Sequence, residues 1–280
     1  MKLLITIAAL TLICLGLAIV YGKYRWQIDT ATLRAKLTNG QKTIQPKFYS
    51  EDELDGLPEP VKRFFQKVLR NGQPMITAVK LSQQGQFNMK ETEAKWNPFT
   101  ATQVVTTQCP SFDWDARIQM VLGLNAFVHD TYLLGEGSLL ASLLGLFTMA
   151  NVRGGTEANL GELLRFFAET AWYPTALLPS QGVRWEAIDH TSARGTLTDG
   201  DTTASLVFSF NAEGLIDTMH AVARYRDKLV AMPWGGRFWE YVVRDGMLIP
   251  LQGEVGWEYP EGMKLYFKGR VTEINYEFAS

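Results

Sequence analysis

Two cysteines in 280 residues, Cys14 inside an apolar run and Cys109 alone in the polar part, exclude a disulfide framework and leave the redox compartment open. Three histidines, His129, His190 and His220, stand far apart without HExxH or HxH spacing, so no metal site is assigned. The chain also lacks a GxSxG elbow, an SxxK pair and a glycine-rich phosphate loop; Gly135-Glu-Gly-Ser138 joins two predicted strands instead of opening a helix. Hydrolase and nucleotide-binding readings therefore have no motif, and no cofactor is expected. A basic surface is missing as well. From Ser50 onward the chain carries 20 basic and 28 acidic residues, which excludes a nucleic-acid partner of the phosphate-neutralising kind.

What basic charge there is gathers near the start. Residues 22–49 hold Lys23, Arg25, Arg34, Lys36, Lys42 and Lys47 against Asp29 alone. They follow residues 3–21, a stretch of 19 without a charge, long enough as a helix to span ~28 Å, close to the hydrocarbon thickness of a bilayer. The small-x-small sites a signal peptidase needs are poor here, and Ile13 before Cys14 does not suit lipidation, so the run is read as a retained single-pass anchor with a cleavable signal peptide as the competing reading. Membrane lipid is the expected partner of the apolar helix and the basic segment. Counting basic residues places the domain in the cytoplasm; a short anchor ahead of a large polar domain is an export arrangement, and the reading leans to the periplasmic or extracytoplasmic side. The chain divides into an anchor (1–22), a basic neck without sustained periodicity (23–56) and one domain (57–280), whose composition, 46% hydrophobic and 20% charged over the whole chain, is that of a globular unit.

Within the domain, Pro58 opens a short amphipathic helix with Val61, Phe64, Phe65, Val68 and Leu69 on one face, ended by Asn71-Gly72. From Ile76 the apolar period changes to two, most clearly where Phe112, Trp114, Ala116, Ile118 and Met120 alternate with Asp113, Asp115, Arg117 and Gln119, a strand with one wet face. Further strands are expected over 77–89, 100–107, 126–134, 138–152, 183–190, 193–198, 203–210, 215–225, 237–243, 247–257 and 263–276, of which 138–152 would also suit a buried helix. Turn chemistry such as Asp199-Gly200 and Asp245-Gly246 between them implies antiparallel neighbours. The expected fold class is α+β: a large curved antiparallel sheet of about a dozen strands, its concave face covered by a central amphipathic helix and helped by the short helix at Pro58.

That central helix is predicted from Asn159, a candidate N-cap with Glu162 three residues on, to about Tyr173, where Pro174 stops it. Leu160, Leu163, Leu164, Phe167 and Ala171 form its apolar stripe. Glu162, Arg165 and Glu169 fall on the other side; they form the candidate polar cluster for ligand contact or proton transfer, against the plainer reading of a solvated face with ordinary ion pairs. Arg153-Gly154-Gly155 ahead of the helix reads as a flexible turn or, less simply, as an anion-binding helix start. Seven tryptophans lie in the domain. Trp96, Trp172 and Trp234 are the candidate rim of an apolar pocket, with Trp96-Asn-Pro-Phe99 and Pro233-Trp-Gly-Gly236 read as loop-held rings.

The strings WNPF (96–99), GELLRFFAETAWYPTALLP (161–179), GVRWEAID (182–189) and ARYR (223–226) resemble a bacterial family of membrane-anchored domains of unknown function, over about residues 58–276. The resemblance implies one domain organised around the central helix and lends no catalytic residue. In architecture alone, a curved sheet covering helices is similar to periplasmic lipoprotein-carrier and lipid-binding folds. Three functions remain: a binding module for an apolar ligand, lipid or lipidated partner, which is favoured; an enzyme using the Glu162, Arg165, Glu169 cluster; and an envelope scaffold with a filled core. Oligomeric state is not legible in the sequence.

Overall fold

Alternating residues with turn signals between them form thirteen strands in the computed structural model, which describes residues 1–280 apart from 42, 90–93 and 227–229; Lys42 of the basic segment lies outside the described residues. The strands are β1 (Ile76–Asn88), β2 (Trp96–Thr106), β3 (Ser111–Gln119), β4 (Asn125–Leu133), β5 (Glu136–Leu143), β6 (Phe147–Arg153), β7 (Arg184–Ala187), β8 (Ser192–Asp199), β9 (Thr202–Phe210), β10 (Ile216–Tyr225), β11 (Ala231–Arg244), β12 (Met247–Tyr259) and β13 (Gly262–Phe278). All pair antiparallel in one sheet of order β6-β5-β4-β3-β2-β1-β13-β12-β11-β10-β9-β8-β7. Two meanders, β1 to β6 and β7 to β13, are thus joined where β1 meets β13, with Ile76 opposite Phe278 and Gly85 opposite Gly269. No Cβ fits at Gly85, where it would stand 2.0 Å from the Lys268 carbonyl oxygen.

Because β6 and β7 remain edges, the sheet curls without closing, and the chain that links them runs inside the curl. Its first part is the central helix α3 (Thr156–Glu169), which touches β4 and β5 on one wing and β9 and β10 on the other. Leu163, Leu164 and Phe167 are buried, and Phe167 meets Phe208 edge-on at 5.4 Å. Helix α2 (Glu59–Val68) buries Val61, Phe64, Phe65 and Val68 at the end of the curl beside β8 and β12. The expected α+β class and the curved antiparallel sheet with its two helices are what the structure has.

Two details of the central helix differ from the sequence reading. It begins four residues early, with Gly155 as N-cap at φ 91 in place of Asn159, and Asn159 is freed from capping to accept the Gly137 N–H at 2.9 Å, tying the first turn to β5. Regular α-helix ends at Glu169, and the chain continues through 3-10 turns at Thr170–Trp172 and Pro174–Leu177, so Pro174 starts a turn instead of simply stopping the helix. The ambiguous residues 138–152 form two strands around a tight turn in which Leu144 and Gly145 take φ of 56 and 72.

The largest departure lies before the domain. Residues 23–39, expected as an irregular neck, continue the apolar run as one helix, α1 (Lys2–Asn39). Gly22, Trp26, Thr30 and Leu37 are buried along one side of it. That side lies on the convex face of β2, β3 and β4. Trp26 donates from Nε1 to Asp115 at 2.8 Å and stacks on His129 at 4.6 Å. Thr30 Oγ1 bonds His129 Nε2 at 2.9 Å, His129 Nδ1 bonds Asp113 at 2.6 Å, and Arg34 Nε donates to Asp113 at 2.8 Å. Of these buried positions only Trp26 and Leu37 carry large apolar side chains, too sparse a stripe to read as a period beside the polar contacts of Thr30 and Arg34, and the face of β3 that looked wet is the floor beneath the helix. Residues 3–21 stay largely outside the packed structure, long and apolar enough to be a membrane anchor or a signal sequence.

Candidate functional site

Between α3 and the two wings lies a cavity of about 680 Å³, within the range of small-molecule sites. Trp114, Val128, Leu139, Trp172, Trp234 and Phe238 are among the residues that wall it. Its polar side comes from α3. The Glu162, Arg165, Glu169 stripe, for which the sequence favoured open solvent, faces this interior: Glu162 and Glu169 are each 9% exposed. The physical reason is the curl, which covers a helix on both flanks and leaves it no solvent face.

Two residues that the sequence reading did not include complete the cluster. Asp130 of β4 receives the Arg165 guanidinium, whose Nε also donates to Glu169 at 2.9 Å. Arg224 of β10 donates to Glu162 at 3.2 Å, to the Gly161 carbonyl at 3.0 Å and to the Tyr266 hydroxyl at 3.1 Å. A strict period of two along β10 would put Ala223, in phase with Met219 and Ala221, inside. The pairing with β11 slips between Ala221 and Arg224, and this bulge turns Arg224 inward in its place. The signal for Asp130 was present: His129 and Asp130 sit next to each other on one strand, so the first serves α1 outside and the second the cavity inside. Aromatic faces hold both cations, Arg165 at 4.8 Å from Trp114 and Arg224 at 4.7 Å from Trp234.

Of the tryptophans expected at a pocket rim, Trp172 and Trp234 line the cavity and Trp96 does not. Trp96 begins β2 with Lys268 5.0 Å over its ring. Trp234 is not loop-held; it lies within β11 and donates from Nε1 to Tyr266 at 2.9 Å. The glycine at 236 permits close approach there, since a Cβ would stand 2.1 Å from the Glu254 carbonyl oxygen. At the start of α3, Arg153 is paired with Glu136 at 2.8 Å, so the turn ahead of the helix carries its own counter-charge.

Burial pushes the Glu162 carboxyl from its ordinary value near 4.5 up to about 8, reinforced by the neighbouring Asp130 and opposed by Arg224 and Arg165. Glu162 Oε2 and Asp130 Oδ1 have no N–H or O–H donor among the described residues, an arrangement that a proton between the two carboxyls satisfies. For Arg165, burial works against the charge, but Glu169, Asp130 and Glu162 outweigh it and hold its pKa above the ordinary value. With Glu162 protonated the cluster balances two cations, Arg165 and Arg224, against two anions, Asp130 and Glu169. The fold then binds a proton that the unfolded chain releases, so between pH about 4.5 and about 8 stability falls as pH rises, by at most about 1.4 kcal/mol per pH unit. Glu162→Gln, which mimics the protonated acid, is expected to lack this slope. Urea melts at several pH values should show the variant gaining on the native protein as pH rises; parallel curves would mean that Glu162 is ionised in the fold.

No curated protein sequence matches this chain. Among solved structures, a LolA superfamily protein from Nitrosomonas europaea matches at 10% identity, covering 76% of this chain and 92% of its own, with a TM-score of 0.38. A beta-barrel-like protein of a domain of unknown function (DUF1849) from Brucella abortus matches at 12% identity, covering 72% of this chain and 99% of its own, with a TM-score of 0.22. One family model matches residues 55–276, which include the whole sheet up to Tyr276, both domain helices and every residue of the polar cluster, and by that match the chain belongs to the family of unknown function DUF6920.

Proposed function

We propose that this protein is a single-pass membrane-anchored module that binds an apolar molecule bearing a small uncharged, hydrogen-bonding head, with its domain on the extracytoplasmic side. The observation that carries the reading is the cavity of about 680 Å³ with apolar and aromatic walls and a charge-balanced polar side. A charged head would unbalance Arg165, Arg224, Asp130 and Glu169 in a site with little water to compensate, whereas a hydroxyl or amide can exchange hydrogen bonds with them. A domain of this size with a filled core would leave no such space, which argues against a plain scaffold.

The test is photolabelling of the full chain in lipid vesicles with a diazirine-bearing long-chain alcohol. Labels are expected on cavity-lining peptides of β5 and β11 and should be lost in Ala141→Trp, which fills the space. Labelling confined to residues 3–21 of α1 would overturn the proposal. The enzymatic alternative draws on one observation, the Glu162 carboxyl held near 8, a value suited to proton transfer at neutral pH. Glu162→Gln should keep capture of the alcohol under either reading, so the separating readout is conversion: mass spectrometry of lipid extracted from the native protein and from Glu162→Gln should show the same unaltered alcohol, and a product formed by the native protein alone would favour the enzyme.

A further inference from the structure

Helix α1 has a direction relative to the sheet, and that direction can be followed residue by residue. Gly22 lies against the β5–β6 turn so closely that a Cβ there would be 2.5 Å from the Leu144 carbonyl oxygen, and one on Gly145 would be 2.7 Å from that of Gly22. Trp26 then reaches Asp115, Thr30 reaches His129, Arg34 reaches Asp113 and Thr102, and Gly40 arrives beside Leu134. The helix therefore runs along β4 from its Asn125 end to its Leu133 end. Residues 3–21 must leave the domain past the β5–β6 turn.

The strand registers show what else sits at that end. Ala126 opposite Leu143 puts the β3–β4 turn beside the β5–β6 turn. Phe99 opposite Ile118 and Phe87 opposite Asn97 bring the end of β1 there, and Phe87 opposite Phe267 brings the β12–β13 turn. This rim carries large apolar side chains in the open: Val121 is 64% exposed, Phe147 67%, Met263 44% and Met89 41%. The cavity lining reaches the same rim at Met89, Tyr259 and Lys264. At the opposite end α2 and the 3-10 turns after α3 cover the sheet.

We infer that the cavity mouth is held against the bilayer surface, with Val121, Phe147, Met89 and Met263 seated in its interface, so that the apolar ligand passes between leaflet and cavity without crossing water. This rests on the reading of residues 3–21 as a membrane anchor. The occupant of the rim is lipid because the apolar span ends at Tyr21, within one helical turn (~5 Å) of the contact between Gly22 and the β5–β6 turn. Lys23 and Arg25 follow it at headgroup level, and exposed Tyr21 and Tyr24 supply interfacial aromatics. Because α1 is one continuous helix from Lys2 to Asn39, no flexible joint lies between the apolar span and the docked half to turn this rim away.

The experiment uses the full chain with Cys14→Ser and Cys109→Ser, then a single cysteine in turn at Phe147, Val121 and Val243, each carrying an environment-sensitive fluorophore. Val243 lies at the far end of β11 and is 56% exposed, which makes it the control. In vesicles of phosphatidylcholine and phosphatidylglycerol, nitroxide-labelled lipid should quench the two rim positions severalfold more than Val243, and iodide should do the reverse. A chain that does not float with the vesicles overturns this inference and the anchor together. A chain that floats while its rim positions are as open to iodide as Val243 overturns the inference alone. Rim positions in lipid without cavity labelling by the alcohol would instead defeat the ligand reading and leave the placement standing. Val121→Asp with Phe147→Asp should slow capture of the alcohol from vesicles severalfold and leave capture from detergent solution unchanged; equal slowing of both would also overturn direct entry.

Discussion

Replacing Arg165 by alanine is expected to destabilise the domain by about 3–5 kcal/mol, the cost of breaking a buried ion pair from one side. Arg165 stands between Asp130 and Glu169, and its side chain is only 15% exposed. Removing it leaves those two carboxylates facing each other beside Glu162 with Arg224 as the one remaining cation of the cluster, and it empties the space above the Phe112 and Trp114 rings. Urea melts of the native and variant proteins read the difference directly. A change below about 1 kcal/mol, the size for an exposed pair, would show that water reaches this cluster freely. Arg165→Ala combined with Asp130→Asn should recover part of the loss, because the second substitution removes one of the stranded charges.

How this cluster came to be buried is also the measure of what the sequence could say. Period-two patterning around Phe112 to Met120 located β3, and the stripe of Leu163, Leu164 and Phe167 located the central helix, because in both cases one side of the element is apolar and local. Nothing local distinguishes a polar helix face turned to solvent from one turned into a cavity; Glu162, Arg165 and Glu169 would look the same in either place. Arg224 was hidden by a bulge, which depends on pairing between two strands and has no signature within β10 itself. The second half of α1 was missed for a related reason. Its contacts with Asp113, Asp115 and His129 are hydrogen bonds across about a hundred residues of sequence, and a period analysis detects only apolar recurrence. The start of the central helix was displaced by a tertiary contact, since Asn159 bonds to Gly137 instead of capping its own helix.

Phe167→Ala should be of similar size, about 3–5 kcal/mol, and for a different reason. Its ring lies fully buried between Phe208 and the backbone at Gly195, where a Cβ would come within 2.8 Å of the ring tip. Gly195 belongs to the paired middle of β8, with neighbours on both sides, so the strand cannot move in to fill the hole. The loss should therefore appear as a cavity and not be relieved by collapse, and thermal unfolding should shift down by several degrees while remaining a single transition. A near-neutral result would mean that α3 does not seat on this wing. Ligand capture offers a second reading, since Phe167 lies outside the cavity lining and the variant should still take the long-chain alcohol at temperatures where it is folded.

The junction between β1 and β13 has a consequence for how the molecule is made. Ile76 pairs with Phe278 and the Ala279 N–H is accepted by the Met75 carbonyl, so the strand that opens the domain finds its second neighbour only about two hundred residues later. During synthesis the meander of β1 to β6 is complete long before its exposed edge at β1 can be covered. That edge is long and carries Ile76, Val79 and Leu81, the kind of surface on which nascent chains associate wrongly. Sequence separation of about two hundred residues makes this pairing a slow step. A chain stopped just before Gly262 would keep almost all of its strands and still lack the one that unites them, so the carboxyl-terminal hairpin acts as the closing stitch of the whole sheet.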